Sequence, residues 1–307
     1  MNTLRTILAA TDFSPASTAA LAQAARLAAA TGAALHVIHV VPSQRLTDWS
    51  SLMPDHQQTV VRHLEDDACA QLDAELADLG MPDTVEAHVV TGNVVHEILI
   101  AVARLEADLL VLGSNGSAGA PDLGTIAVRC VRKAPTRVLL VPTGVEGRFE
   151  RVLACLDFSE LTPQILTQAF RVARVDDSQV TVVHVFQPPW ERVRWGIPPE
   201  NASELELQMR SLLRSRLREV TNEQADESAG VDLTFELVES HDHAEGIAQY
   251  ARDVDTDLVV VGTTGRGALA YMMLGTTAEK VLRHVGCAVL AVKGQRSAEF
   301  SPGPFSA

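Results

Sequence analysis

Hydrophobic positions along the chain form short, nearly continuous runs, which are separated by longer segments whose apolar residues recur with helical spacing. Continuous apolar runs are typical of parallel strands that helices cover on both faces. Their alternation with helices predicts right-handed βαβ units, with five strands and four helices in each half of the chain. The strands are predicted at 5–11, 34–41, 84–91, 108–113, 137–142, 151–157, 179–186, 231–238, 257–262 and 287–293.

The second half of the chain repeats the first. Thr6–Ser14 aligns with Arg151–Ser159, and both segments end in Asp-Phe-Ser. The same offset aligns the next predicted strand, because His36–Pro42 then lies over Thr181–Gln187. Two matches in one register indicate the duplication of a domain. We therefore predict a first domain over 1–145, a second over 149–295 and a disordered tail over 296–307.

Composition narrows the class of protein. A chain of 307 residues that is 47% hydrophobic can bury a core in each of two domains. The formal net charge of −14 argues against nonspecific binding to nucleic acid or to anionic membranes, because both need basic patches. The four cysteines form no C-x-x-C pair, which favours a reduced, cytoplasmic setting. Neither a signal peptide nor a membrane span is expected, because polar residues interrupt the apolar stretches.

Candidate ligand-binding residues fall at the carboxyl ends of strands in the second half. Asp157 ends the first strand there and would face the crevice in which open α/β sheets bind ligands, with a structural turn as the alternative. Ser159 is expected to cap the following helix. The loop Gly262–Thr277 follows the fourth strand and opens into a helix. Its glycines and the N–H groups at the helix start suit an anion, and the alternative is a glycine-rich turn with no ligand.

Other motifs give little support to competing chemistry. Gly265–Ala270 satisfies the G-x-G-x-x-A form of the dinucleotide fingerprint. It follows a fourth strand, however, so no second strand remains to supply the acid that binds the ribose. The chain has no Walker-type loop, no G-x-S-x-G elbow and no H-E-x-x-H motif. A phosphate transferase of the Walker type is therefore disfavoured.

These residues make the chain resemble a tandem universal stress protein of the UspA-like family, and the resemblance covers nearly the whole chain. It rests on the Asp-Phe-Ser ending and on the family's pattern G-x-x-G, nine residues, then G-[ST]. The resemblance implies two open five-stranded parallel sheets of strand order 3-2-1-4-5 with helices on both faces, the adenine nucleotide alpha hydrolase-like fold. It implies ATP as the ligand, with Mg²⁺ left open. By resemblance, Asp157 and the backbone of Val185 lie beside the adenosine, while Gly262, Gly265, Arg266, Gly275, Thr276 and Thr277 surround the ribose and phosphates.

The first half departs from this pattern. Seven residues, rather than nine, separate Gly116 from Gly124. No arginine follows Gly116, and Asp122 stands where a phosphate would lie, which costs Coulomb energy. Asp12 is retained, so adenosine alone could fit. We predict a degenerate phosphate loop here and a nucleotide held mainly in the second domain.

The preferred function is a nucleotide-binding regulatory protein of the stress response, whose loaded and empty states differ in shape or in affinity for an unidentified protein partner. No general base, acid pair or nucleophile accompanies the loop, so we do not expect an enzyme beyond a weak ATPase. A slow ATP hydrolase and an interaction scaffold with unused pockets are the alternatives. The fifth strands, 137–142 and 287–293, are predicted to pair as an intramolecular pseudo-dimer, and a homodimer is left open.

Several histidines and tryptophans lie outside the main motif. His241 and His243 suggest a metal site, but a helix cap in this segment is the preferred interpretation. His39 is predicted to be a core histidine with a hydrogen-bond partner, and so is its counterpart in the second half, His184. The segment with Trp190 and Trp195 is a lid, a docking surface or simple packing.

Overall fold

The computed structural model describes residues 4–43, 57–114, 124–187, 199–264 and 274–294. The predicted strands are confirmed, with ends that differ by at most two residues, and the short helix α7 was not expected. The first half contains β1 (Thr6–Thr11), α1 (Pro15–Thr31), β2 (Ala34–Pro42), α2 (Gln57–Asp78), β3 (Glu86–Gly92), α3 (Val94–Arg104), β4 (Leu109–Gly113), α4 (Thr125–Lys133) and β5 (Arg137–Val141). The second half contains β6 (Arg151–Cys155), α5 (Thr162–Asp176), β7 (Gln179–Phe186), α6 (Pro199–Asn222), α7 (Ala225–Ser228), β8 (Asp232–Glu239), α8 (His243–Asp253), β9 (Leu258–Gly262), α9 (Thr276–His284) and β10 (Ala288–Val292).

The strands form one ten-stranded sheet in the order β3-β2-β1-β4-β5-β10-β9-β6-β7-β8. Each half has the predicted order 3-2-1-4-5, and its neighbouring strands are parallel. The two halves meet where β5 and β10 pair antiparallel, with Leu140 opposite Val289 and Val138 opposite Ala291. The predicted pairing of the fifth strands is therefore confirmed. It joins the two five-stranded sheets into one continuous sheet, whose halves are related by a pseudo-two-fold axis.

Helices cover both faces of the sheet, which explains the continuous apolar runs. Alternate residues of one strand enter opposite layers of the core: Ile7 packs in one cluster and Leu8 in the other, and both are fully buried. Both layers extend across the two halves. Of the helices in the described ranges, none is both long and apolar enough to cross a membrane.

Contacts between side chains also join the halves. Arg26 of α1 forms an ion pair with Asp176 at the end of α5 and lies over the ring of Phe149 at 5.2 Å. On the other face of the sheet, Arg132 of α4 pairs with Glu279 of α9 at 3.2 Å. Each bridge links a helix of the first half with one of the second, so the halves are fixed by more than the strand pair β5–β10.

Candidate functional site

The carboxyl ends of β6 and β9 form the point at which the strand order of the second half reverses. These strands are neighbours, and Cys155 lies opposite Val261. Asp157 therefore leaves the sheet beside Thr263, because both follow that pair by two residues. Ligands of open α/β sheets bind in this crevice, so the structure brings the predicted aspartate and the start of the predicted loop to one place.

Asp157 holds a tight turn. Its Oδ1 accepts a hydrogen bond from the backbone N–H of Ser159 at 2.9 Å, and Phe158 between them has a left-handed φ of 56°. The first half repeats this turn, with Asp12 Oδ1 accepting from Ser14 at 3.1 Å. The turn role of Asp157 is thus present. Its second oxygen, Oδ2, has no hydrogen-bond donor among the described residues, and the ligand role stays a prediction for that atom.

The predicted core histidines support these turns. Nδ1 of His184 donates to the carbonyl oxygen of Leu156 at 2.7 Å, and its ring lies 4.5 Å from that of Phe158. His39 makes the matching bond to the carbonyl oxygen of Thr11 at 2.9 Å and stacks on Phe13. The expected hydrogen-bond partners are confirmed, but both histidines are half-buried rather than in the core. Each histidine fixes the backbone immediately before the aspartate of its half.

The predicted cap at Ser159 is wrong. Helix α5 begins one turn later, at Thr162, and no described side chain caps it. Ser14 does cap α1, because its hydroxyl accepts from the N–H of Ser17 at 3.3 Å. The difference follows from proline, which is favoured in the first turn of a helix: Pro15 follows Ser14 directly, whereas Pro163 comes four residues after Ser159.

Thr263 closes the base of the loop, and this role was not predicted. Its N–H donates to the carbonyl oxygen of Val292 at 2.9 Å, and its own carbonyl accepts from Gly275 at 2.8 Å. Ser114 makes the matching bonds in the first half, to Val141 at 2.9 Å and from Gly124 at 2.8 Å. In each half, a residue with a hydroxyl group directly follows the glycine that ends the fourth strand, and this repeat was the sequence feature that could have predicted the role. The shorter loop of the first half therefore begins and ends with the same pair of backbone hydrogen bonds as the loop of the second half.

At the start of α9, beside this edge, several N–H groups have no hydrogen-bond acceptor among the described residues. The first four N–H groups of a helix lack intrahelical partners. That of Gly275 bonds to Thr263, which leaves those of Thr276, Thr277 and Ala278. No described side chain caps them, and both threonines are exposed. Together with the helix dipole, these groups suit an anion.

Gly275 does not need to be glycine for its own backbone. Its φ of −63° and ψ of 145° are open to any residue. Gly262 has a packing reason of its own: a Cβ there would lie 3.1 Å from Leu161 Cδ1 and 3.2 Å from Ile165 Cδ1. Val185 is 4% exposed and lies two residues past Val183, the last partner of β6 on β7.

Charges near α9 are already engaged by neighbours. Glu279 in its first turn pairs with Arg283 at 3.1 Å as well as with Arg132. Lys280 pairs with Asp242, and that hydrogen bond is the largest cause of the lowered pKa of Asp242.

Asp242 is the N-cap of α8, which agrees with the preferred interpretation of this segment, and its side chain accepts a hydrogen bond from the N–H of Ala244 at 2.9 Å. Within the described ranges, His241 and His243 are not brought together with a third metal ligand, so the zinc alternative there is not supported.

Some predicted residues cannot be placed. Gly265 and Arg266 of the second loop lie outside the described residues, and so do Gly116 and Asp122 of the first. Trp190 and Trp195 lie outside them too, as does the tail 296–307. The structure thus places Asp157, Val185, Gly262, Gly275, Thr276 and Thr277.

Comparisons with known proteins agree with this architecture. Universal stress protein MJ0531 of Methanocaldococcus jannaschii is 28% identical over 151 residues, which are 48% of this chain and 84% of that protein. Universal stress protein Sll1388 of Synechocystis is 28% identical over 154 residues, 47% of this chain and 98% of that one. The crystal structure of a universal stress protein from Archaeoglobus fulgidus has a TM-score of 0.62 at 19% identity and covers 95% of this chain and 99% of its own.

The family profile gives the most direct assignment. The profile described as "Universal stress protein family" matches the chain twice, at residues 3–142 and 148–293. The two matches fall on the two halves that the repeated Asp-Phe-Ser turn and the repeated sheet order define. The chain therefore belongs to the universal stress protein family, as a tandem member with two domains.

Proposed function

We propose that this protein binds ATP at the carboxyl edge of the second-half sheet and acts as a nucleotide-dependent regulatory protein of the stress response. The observation that carries the proposal is the start of α9, where three backbone N–H groups without a described cap lie at the edge that also holds Asp157. A polyphosphate fits the helix start, and the Asp157 carboxylate can accept a hydrogen bond from the nucleoside.

The nucleotide is assigned mainly to the second half. The loops of both halves begin and end with the same pair of backbone hydrogen bonds. The expected difference in nucleotide binding therefore comes from the loop sequences. The second loop carries Arg266, and the first carries Asp122 and is two residues shorter. A positive charge beside the phosphates favours binding, while a carboxylate opposes it.

We propose a binding protein rather than an enzyme. The described polar side chains beside the loop include Asp157, which is engaged in its turn, and the hydroxyls of Thr263, Thr276 and Thr277. None is an activated nucleophile or a general base. The setting is proposed to be cytoplasmic, because none of the four cysteines is in a disulfide.

The decisive experiment compares Gly275→Val with Gly124→Val by isothermal titration calorimetry with ATP. Both glycines are helix N-caps, with φ of −63° and −60°, so both substitutions place a side chain in the same local conformation. Gly275→Val should weaken ATP binding by about tenfold or more, because the side chain occupies the space of the phosphates. Gly124→Val should leave the affinity nearly unchanged.

The same titration tests the alternatives. The proposal fails if Gly124→Val abolishes ATP binding while Gly275→Val leaves it intact. Absence of ATP binding by the unmodified protein would favour the scaffold. Release of phosphate from bound ATP, measured over many turnovers, would favour the slow hydrolase.

A further inference from the structure

Three potential metal ligands meet at the opposite end of the first-half sheet. His36 lies near the start of β2, and Glu86 and His88 lie on the edge strand β3. Nδ1 of His36 is 3.3 Å from Oε2 of Glu86, and Nε2 of His88 is 4.0 Å from that oxygen. The three donor atoms all lie within 4.8 Å of one another. No other group of this kind occurs in the described part of the chain.

The two nitrogens have no other use in the described structure. Both are buried, and neither makes a hydrogen bond to a described residue, although His36 closely approaches Glu86. Buried polar atoms are normally hydrogen-bonded, so two such nitrogens that face one carboxylate need an explanation. The Glu86 side chain is 67% exposed, so this ligand connects the two buried nitrogens with solvent. An ion could enter there.

The sheet itself does not require these residues. His36 lies opposite Glu86 in the register of β2 and β3. In the second half, Thr181 and Thr234 occupy the matching pair on β7 and β8, and their hydroxyls are hydrogen-bonded at 2.9 Å. The same strand pairing therefore forms with two threonines whose hydroxyls are hydrogen-bonded to each other. The histidine and carboxylate groups of the first half are an addition to the strand pairing.

We propose that His36, Glu86 and His88 form a zinc site. Bonds of about 2.0–2.2 Å at tetrahedral angles place zinc ligands about 3.3–3.6 Å apart, which the distance between His36 and Glu86 already matches. The His88 ring, which stacks on that of His36 at 5.8 Å between centroids, and the Glu86 carboxylate have to rotate to complete the site. Two imidazoles and one carboxylate suit zinc and leave its fourth position to water, whereas Mg²⁺ prefers oxygen ligands. Arg104 acts electrostatically on His88, and its charge opposes a bound cation.

A bound zinc ion would tie the edge strand β3 to β2. Ligands that bind only the folded state stabilise it, so zinc should raise the melting temperature of the full chain. The site is remote from the loop of the second half in the strand order, since β3 and β9 are separated by five strands. Zinc binding should therefore persist in Gly275→Val, which separates this inference from the proposed function.

The test is calorimetry with zinc chloride on the metal-free full chain, without nucleotide. We expect about one zinc per chain. The double variant His36→Thr, Glu86→Thr copies the hydroxyl pair of the second half and should fold, yet weaken zinc binding by about a hundredfold or more. The matched control is His241→Ala, His243→Ala, which removes two exposed histidines from the other half and should leave the affinity unchanged.

Two further measurements keep the inference open to refutation. Cobalt in place of zinc should give the visible spectrum of a tetrahedral site in the unmodified chain and lose it in the double variant. If circular dichroism shows that the double variant is unfolded, His88→Gln takes its place and should weaken zinc binding by about tenfold. The inference is overturned if the unmodified chain binds no zinc, if the folded variant at the site binds it normally, or if only the His241, His243 control loses it.

Discussion

Gly113 and Gly262 end the fourth strands of their halves, yet the structure gives the two glycines different surroundings. A Cβ at Gly113 would lie 2.7 Å from the backbone nitrogen of Ser17 and 2.8 Å from the carbonyl carbon of Ala16. A Cβ at Gly262 would meet only the side chains of Leu161 and Ile165. Gly113→Ala should therefore destabilise by about 1–3 kcal/mol, and Gly262→Ala by less than about 1 kcal/mol. Urea unfolding measures both, and an equal cost would contradict this explanation.

Arg266 is the residue from which the sequence predicts the largest contribution to phosphate affinity. A charge-assisted hydrogen bond to a phosphate oxygen contributes about 1.5–3 kcal/mol. Arg266→Ala should therefore weaken ATP roughly ten- to hundredfold and leave adenosine nearly unaffected. Calorimetry with the two ligands measures the difference. An equal loss for ATP and adenosine would mean that the side chain does not contact the phosphates.

At the scale of an element, the two helices that follow the Asp-Phe-Ser turns differ in how they begin. The hydroxyl of Ser14 caps α1, whereas α5 begins at Thr162 and Ser159 Oγ makes only a long contact of 3.4 Å to Leu161. Ser14→Ala should cost about 1 kcal/mol, and Ser159→Ala no more than about 0.5 kcal/mol. Chemical denaturation of the two variants decides this, and a larger loss for Ser159→Ala would mean that the turn needs its hydroxyl.

At the scale of the whole molecule, the buried side chain of Asp176 joins the two halves. Its side chain is 1% exposed, pairs with Arg26 of the first half and accepts from the backbone N–H of Phe149 at 2.9 Å. Asp176→Ala leaves the mostly buried Arg26 guanidinium without its ion-pair partner and the N–H of Phe149 without its acceptor, so we expect a loss of about 3 kcal/mol. The control Glu227→Ala breaks a half-exposed pair with Arg174 and should cost less than about 1 kcal/mol. Thermal unfolding measures both variants. Equal losses of stability would mean that Asp176 makes no special contribution to the junction between the halves.

Features that depend on local pattern could be predicted from the sequence, and those that depend on long-range placement could not. Both faces of the sheet are buried, so each strand is a continuous apolar run, whereas the strand order was implied by the family resemblance and is found in both halves. The bond from His184 to Leu156 follows from a histidine inside such a run, which needs a partner. The cap at Ser159 failed because a serine cannot cap a helix whose first turn begins three residues later.

The sequence by itself determined the alternation of strands and helices and the duplication, and it predicted the edge at which a ligand would bind, because strand periodicity, turn residues and glycine spacing can be read from short stretches of sequence. Only the tertiary structure decided how the halves join through Arg26 and Asp176, which are far apart along the chain. The meeting of His36 with Glu86 and His88 was decided in the same way. Strand register sets which residues stand opposite, and register is a property of two segments together, so neither segment alone reveals it.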